Sequence, residues 1–140
     1  MAQNTSPVFP LVPVVTWVNA AGLVANTTTD LTAGTNYNSG FTANATNGSR
    51  VDFVRARSLG TNVVTVVRVW LNNGATTATA ANNTLFFERT LTATTVSQTA
   101  ELADIILPIN VSLPAGYKIY YTFGTAVAAG YDMSVVGGDY

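Results

Sequence analysis

Histidine and cysteine are both absent from this chain, and lysine occurs once. Without a thiol or an imidazole there is no thiolate or Ser-His-Asp nucleophile. A zinc site of the usual ligand types is excluded as well. No disulfide framework is possible, so the composition does not report an oxidising compartment. Charge is equally scarce: Asp, Glu, Lys and Arg make up 9% of the 140 residues, against about 25% in an ordinary soluble domain. Six basic and seven acidic residues leave a net charge of −1. That balance argues against nucleic acid as a partner, because neutralising phosphate needs clustered Lys and Arg. No apolar run approaches the roughly 20 residues of a membrane span. Met1 to Pro7 contain neither a basic stretch nor a continuous apolar one, so no signal peptide is expected.

What is present points to strands. Apolar residues make up 48% of the chain, which also carries 22 Thr, 18 Val and 13 Asn. A chain of this length makes one domain and buries roughly two-thirds of its unfolded surface. Disorder is excluded, since disordered chains pair low hydrophobicity with high net charge. β-branched side chains are stiff at χ1 and fit a pleated, half-buried surface. No helix-length window has a 3.6-residue period, whereas period two recurs.

The clearest alternation runs from Ile105 to Leu113, with Ile105, Leu107, Ile109, Val111 and Leu113 on one face. Pro108 on the other face cannot donate to a ladder, which predicts an edge position or a bulge. Tyr117 to Phe123 alternates in the same way. The turn residues Leu113-Pro114-Ala115-Gly116 between the two predict a hairpin. Tyr131 to Val136 makes a last strand ending at Gly137-Gly138. Asn62 to Leu71 is apolar on both faces, broken only by Arg68, and so is central or covered. It stops at the turn signal Asn72-Asn73-Gly74. The Ala/Thr/Asn stretch that follows reads as a loop, and Leu85 to Thr95 as the next strand. Arg50 to Leu59 is preceded by Asn47-Gly48 and closed by Gly60. Val12 to Val18 and residues 40–43 are weaker candidates.

About eight short strands with regularly spaced turn signals predict an all-β fold: one antiparallel β-sandwich, specifically a jelly roll, over residues 12–140. Residues 1–11 are set apart as an extended proline-rich arm. Pro7, Pro10 and Pro13 keep this stretch close to polyproline II, yet Val8, Phe9 and Leu11 make it apolar. It either straps its own domain or docks on a neighbouring subunit.

Chemistry is thin. The one enzyme class the carboxylates allow is a glycosidase-like pair. Glu88 and Glu101 are the candidates, with Asp52 or Asp104 as companions; solvated or ion-paired acids explain them more simply. Asp30, Asp104, Asp132 and Asp139 are too scattered for a calcium loop, so no metal or cofactor is expected. Arg55 and Arg57 share one strand face near Arg50 and Asp52. They either bind an anion or a partner's acids, or pair with Asp52 or Glu88. Among the aromatics Trp17, Trp70, Tyr117, Tyr120, Tyr121 and Tyr131, core packing comes first. Trp70 and Tyr120 lie on the less apolar faces and are the candidates for a sugar platform. Six N-x-S/T sequons follow from the wealth of Asn and Thr and carry little weight.

A neutral surface offers little repulsion between copies. The arm and the second face of Asn62 to Leu71 are apolar surface in need of a cover. These features predict a closed homo-oligomer, a trimer by preference, with Pro7, Val8, Phe9, Pro10, Leu11, Arg55, Arg57, Trp70 and Tyr140 as interface candidates. Asp139 and Tyr140 enter this set as a second contact, following Gly137-Gly138.

The C-terminal half resembles small virion structural proteins of tailed bacteriophages and prophages, of the capsid decoration or cement type. The segments concerned are Asn72-Asn73-Gly74, Thr84-Leu85-Phe86, Leu113 to Lys118, Gly124 to Gly130, and Gly137-Gly138-Asp139-Tyr140. The resemblance covers residues 62–140 and rests on turns rather than a catalytic signature. It implies a non-enzymatic jelly-roll virion component that sits as trimers on the major capsid protein at the capsid surface. A tail or head-fibre component remains open within it. The alternative is a lectin-like, carbohydrate-binding jelly roll.

Overall fold

Period-two burial runs through the long strands, as the spacing of apolar residues requires. A computed structural model describes residues 9–28, 31–32 and 37–140. Its strands are β1 (Val12–Asn19), β2 (Asn38–Thr42), β3 (Ser49–Ser58), β4 (Thr65–Asn72), β5 (Asn83–Leu91), β6 (Asp104–Leu113), β7 (Lys118–Phe123) and β8 (Tyr131–Asp139). They form two antiparallel sheets, ordered β1-β8-β3-β6 and β2-β7-β4-β5. This is the eight-stranded double Greek key of a jelly roll, as the alternation predicts.

The inner faces of the two sheets meet in one core. Val54, Ala56, Leu107, Met133 and Val135 of the first sheet face Val67, Val69, Ile119, Tyr121 and Phe123 of the second. Phe123 stacks on Tyr131 with ring centroids 5.5 Å apart. Pro108 lies on edge strand β6 beside a register shift against β3, in keeping with its missing donor.

The expected hairpin is overturned. β6 pairs with β3 in one sheet, while β7 pairs with β2 and β4 in the other. Gly116 does make the turn at a φ of 74°, but the turn carries the chain from one sheet to the other. Each strand has one apolar face, and setting the faces opposite each other buries both.

The terminal glycines also differ from expectation, because Gly137 and Gly138 continue β8 instead of ending it. A Cβ on Gly137 would lie 2.0 Å from the Arg50 carbonyl oxygen, and one on Gly138 would lie 2.6 Å from Pro10 Cβ. These glycines serve close approach rather than a turn. β5 stops at Leu91, short of Thr95.

A buried polar knot closes one end of the sandwich. Asn62 Nδ2 donates to the Gly130 carbonyl at 2.9 Å and to Ser58 Oγ at 3.0 Å. Asn62 Oδ1 accepts from Ala129 N–H and Gly130 N–H. All four bonding positions of this amide are therefore used inside the fold.

Candidate assembly surface

The outer face of the β1-β8-β3-β6 sheet can be read from its register. Val15, Val136, Phe53 and Pro108 form one row across the four strands, and Trp17, Ser134, Arg55 and Ile106 form the next. A third row holds Asn19, Asp132, Arg57 and Asp104. The face is thus apolar toward β1, with its charges on β3, β6 and β8. Trp17 is 72% exposed and Val15 60%, and the preceding Phe9 and Leu11 are also exposed. Exposed apolar surface that is contiguous, rather than scattered, marks interaction.

β1 is an edge strand, and its hydrogen-bonding phase is fixed at both sides of its neighbour. Ala20 N–H donates to Tyr131 C=O, and Leu59 N–H donates to Gly130 C=O. Odd-numbered residues of β8 therefore bond to β1, and even-numbered ones to β3. On β1 the even positions face β8, so the N–H and C=O of Val15, Trp17 and Asn19 point to the open edge. Pro13 occupies an open-edge position, where its missing N–H costs the ladder nothing.

The charged residues of this face pair among themselves. Arg55 Nε reaches both carboxylate oxygens of Asp104 at 2.8 Å. The Arg55 hydrogen bond holds the Asp104 carboxyl below the usual carboxylate range. Arg50 pairs with Asp52 at 3.1 Å. Arg57 stands between Asp132 of β8 and Asp104 of β6. Of the acids expected to pair with this arginine cluster, Asp52 does so, whereas Glu88 is engaged by Arg68 of β4 at 2.9 Å. Glu88 lies on the outer face of the other sheet, and Glu101 in the connection before β6. Among the described residues, no three acids gather into a cluster that could hold a metal ion.

Trp70 requires a correction. It is 2% exposed, so it is unavailable to a neighbouring molecule or a sugar. Its ring packs with Leu31, Tyr120 and Tyr37, and Nε1 donates to Thr122 Oγ1 at 2.9 Å. At Trp70 the second apolar face is covered by Leu31 and Tyr37 of the chain's own β1–β2 connection, whereas Val64 on the same face remains exposed. Tyr120 is buried in the same cluster, with Tyr37 edge-on at 5.0 Å. Tyr140 is tied to its own domain: its hydroxyl meets Ser112 Oγ at 2.7 Å, and its carbonyl accepts from Asn47 Nδ2 at 3.0 Å. Of the arm, Pro7 and Val8 lie outside the described residues, Phe9 and Leu11 are exposed, and Pro10 packs on Gly138.

Val15 and Trp17 are surface residues that composition did not single out for assembly. The available signal was Pro13, Val15 and Trp17 recurring at every second position, opposite Val14 and Val18. A second feature is a cleft of about 280 Å³ at the end of β4 and β5, lined by Leu71, Asn72, Asn73, Asn82, Asn83 and Tyr117.

No known protein family and no curated protein matches this sequence. A solved structure titled "Structure of infectious bursal disease virus Gx strain" is similar at 13% identity and a TM-score of 0.31. The similarity covers 97% of this chain, which spans 36% of that one.

Proposed function

We propose that the protein is a non-enzymatic virion structural component, a capsid decoration or cement protein that docks as a homo-oligomer on the major capsid shell. The observation that carries this reading is the group of exposed apolar side chains on and just before β1: Phe9, Leu11, Val12, Val15 and Trp17. Apolar side chains exposed together at one edge mark an interaction site. The jelly-roll order and the resemblance of the turn segments to those of phage virion proteins support the reading. A trimer engaging three shell sites at once would amplify weak contacts by multivalency.

Mass spectrometry of particles from the phage or prophage encoding the chain tests the reading. A copy number near that of the major capsid protein is expected, and absence from the particles would overturn it. A handful of copies would move the protein to the tail or a head fibre. Deleting residues 2–11 is expected to leave the domain folded and weaken its retention on particles.

The carbohydrate-binding alternative keeps one supporting observation, the amide-lined cleft beside Tyr117. Glycan-array binding that is lost on Tyr117→Ala would favour it over the capsid reading.

A further inference from the structure

The four sheet edges are not protected alike. β2 is only five residues long and bulged at Gly40. β5 carries Glu88 and Arg89 and a register shift. β6 carries Asp104, Pro108, a register shift and Asn110 at a positive φ of 49°. These are the devices that keep edges from pairing with other chains. β1 has eight residues, no charged side chain and an unbroken register, with Pro13 near its start as its only safeguard. Among the described residues, no other backbone group meets the outward N–H and C=O of Val15 and Trp17.

We infer that β1 pairs antiparallel with β1 of a second copy about a twofold axis at Thr16, joining two β1-β8-β3-β6 sheets into one. In this register Val15 faces Trp17 of the other copy, and each pair exchanges two backbone hydrogen bonds. Their side chains stack as aromatic and β-branched partners on the outer face. Asn19 faces Pro13, which has no N–H to offer. Asn19 C=O does not need one, because it already accepts from Asn38 Nδ2 at 3.5 Å.

Thr16 singles out a copy of this chain over any other extended partner. Its Oγ1 is buried and has no hydrogen-bond partner. The twofold sets Thr16 against Thr16 as a close, non-hydrogen-bonded pair, where a χ1 rotation that turns each hydroxyl out of the interior lets the two bond to each other. No like charges meet across the axis, since β1 has none.

Phe9, Leu11, Val12, Val15 and Trp17 are exposed on or just before this strand, and the part of them that a second copy covers adds apolar burial to the backbone ladder. The inference goes beyond the virion reading and stands without it. In a trimeric assembly a twofold contact joins neighbouring trimers.

Amide hydrogen exchange and sedimentation of the full chain over a concentration series test it. The Val15 and Trp17 amides are expected to exchange about tenfold or more slowly at high than at low concentration. The mass is expected to rise to an even multiple of 14.7 kDa. Val15→Pro removes an outward N–H and no intrachain ladder bond, and Trp17→Lys sets charge at the junction. Each should halve the mass while leaving circular dichroism unchanged. Unprotected amides at every concentration, a monomer, or a trimer with these two amides exposed would overturn the pairing but leave the capsid reading standing. Protection that does not vary with concentration would mean that the chain's own N-terminal residues cover the edge, and would overturn it too.

Discussion

Asn62 shows how much one polar side chain can hold in a fold with few charges. Its amide bonds Ser58, Ala129 and Gly130, while its own backbone bridges Thr94. Asn62→Ala strands two backbone N–H groups and a carbonyl in the interior, at a cost of about 2–4 kcal/mol. Urea unfolding would show this as a lower midpoint with little change in slope. The tyrosines set the pH response. Burial pushes the hydroxyls of Tyr121, Tyr131 and Tyr120 above the ordinary range for tyrosine. The unfolded chain releases phenolic protons from about pH 10 while the fold retains them, so stability is full below that value and falls as pH rises. Asp104 acts at the other end: its pairing with Arg55 helps above about pH 4 and is lost as pH falls, a small effect for an exposed pair. With no His or Cys, no side chain ordinarily titrates between about pH 5 and 8. The unfolding midpoint is expected to be flat across that range and to drop above pH 10, with tyrosinate absorbance rising as near-UV dichroism is lost. Ionisation of all six tyrosines with the dichroism intact would contradict this.

At the scale of elements, strong backbone constraints appear where strands approach closely. Gly137 lies opposite Val51 of β3, and its missing Cβ lets the Arg50 carbonyl come close. Gly137→Ala must push β3 and β8 apart, at about 1–3 kcal/mol, which for this size lowers the melting temperature by about 4–12 °C. A calorimetric melt unchanged within a degree would show that the strands can give way. Elements of this kind also mark where the sequence was legible. Ile105 to Leu113 and Tyr117 to Phe123 alternate so cleanly that their place and inward face could be read directly. Their partners could not, because a Pro-Ala-Gly turn serves a ladder and a sheet-to-sheet crossing equally well. The two-faced β4 was legible as a strand needing cover. Leu31 and Tyr37 sit in a connection without periodicity, so nothing local announced that they supply the cover and bury Trp70. Val15 and Trp17 were hidden for a related reason: a strand apolar on both faces looks like core until its neighbours are known.

The whole molecule is sparing with charge, and an assembly built on the proposed β1 contact would rest on apolar and backbone groups. That would distinguish it from the charge-steered kind. Charge-steered association weakens with salt because exposed ion pairs are screened within about 10 Å at 0.1 M. Here β1 has no charges, and Arg55 and Asp104 neutralise each other within one copy. Screening therefore has little to weaken, while sulfate, which is excluded from protein surfaces, favours burial of Trp17, Val15 and the arm. Self-association followed by sedimentation is expected to change less than about threefold between 0.05 and 1 M sodium chloride, and to tighten in sulfate. Dissociation by sodium chloride would move the contact to the charged row of the sheet, where Arg57 lies between Asp132 and Asp104. Arg57→Ala separates the two cases: it leaves an apolar β1 contact intact and abolishes one made through the charged row.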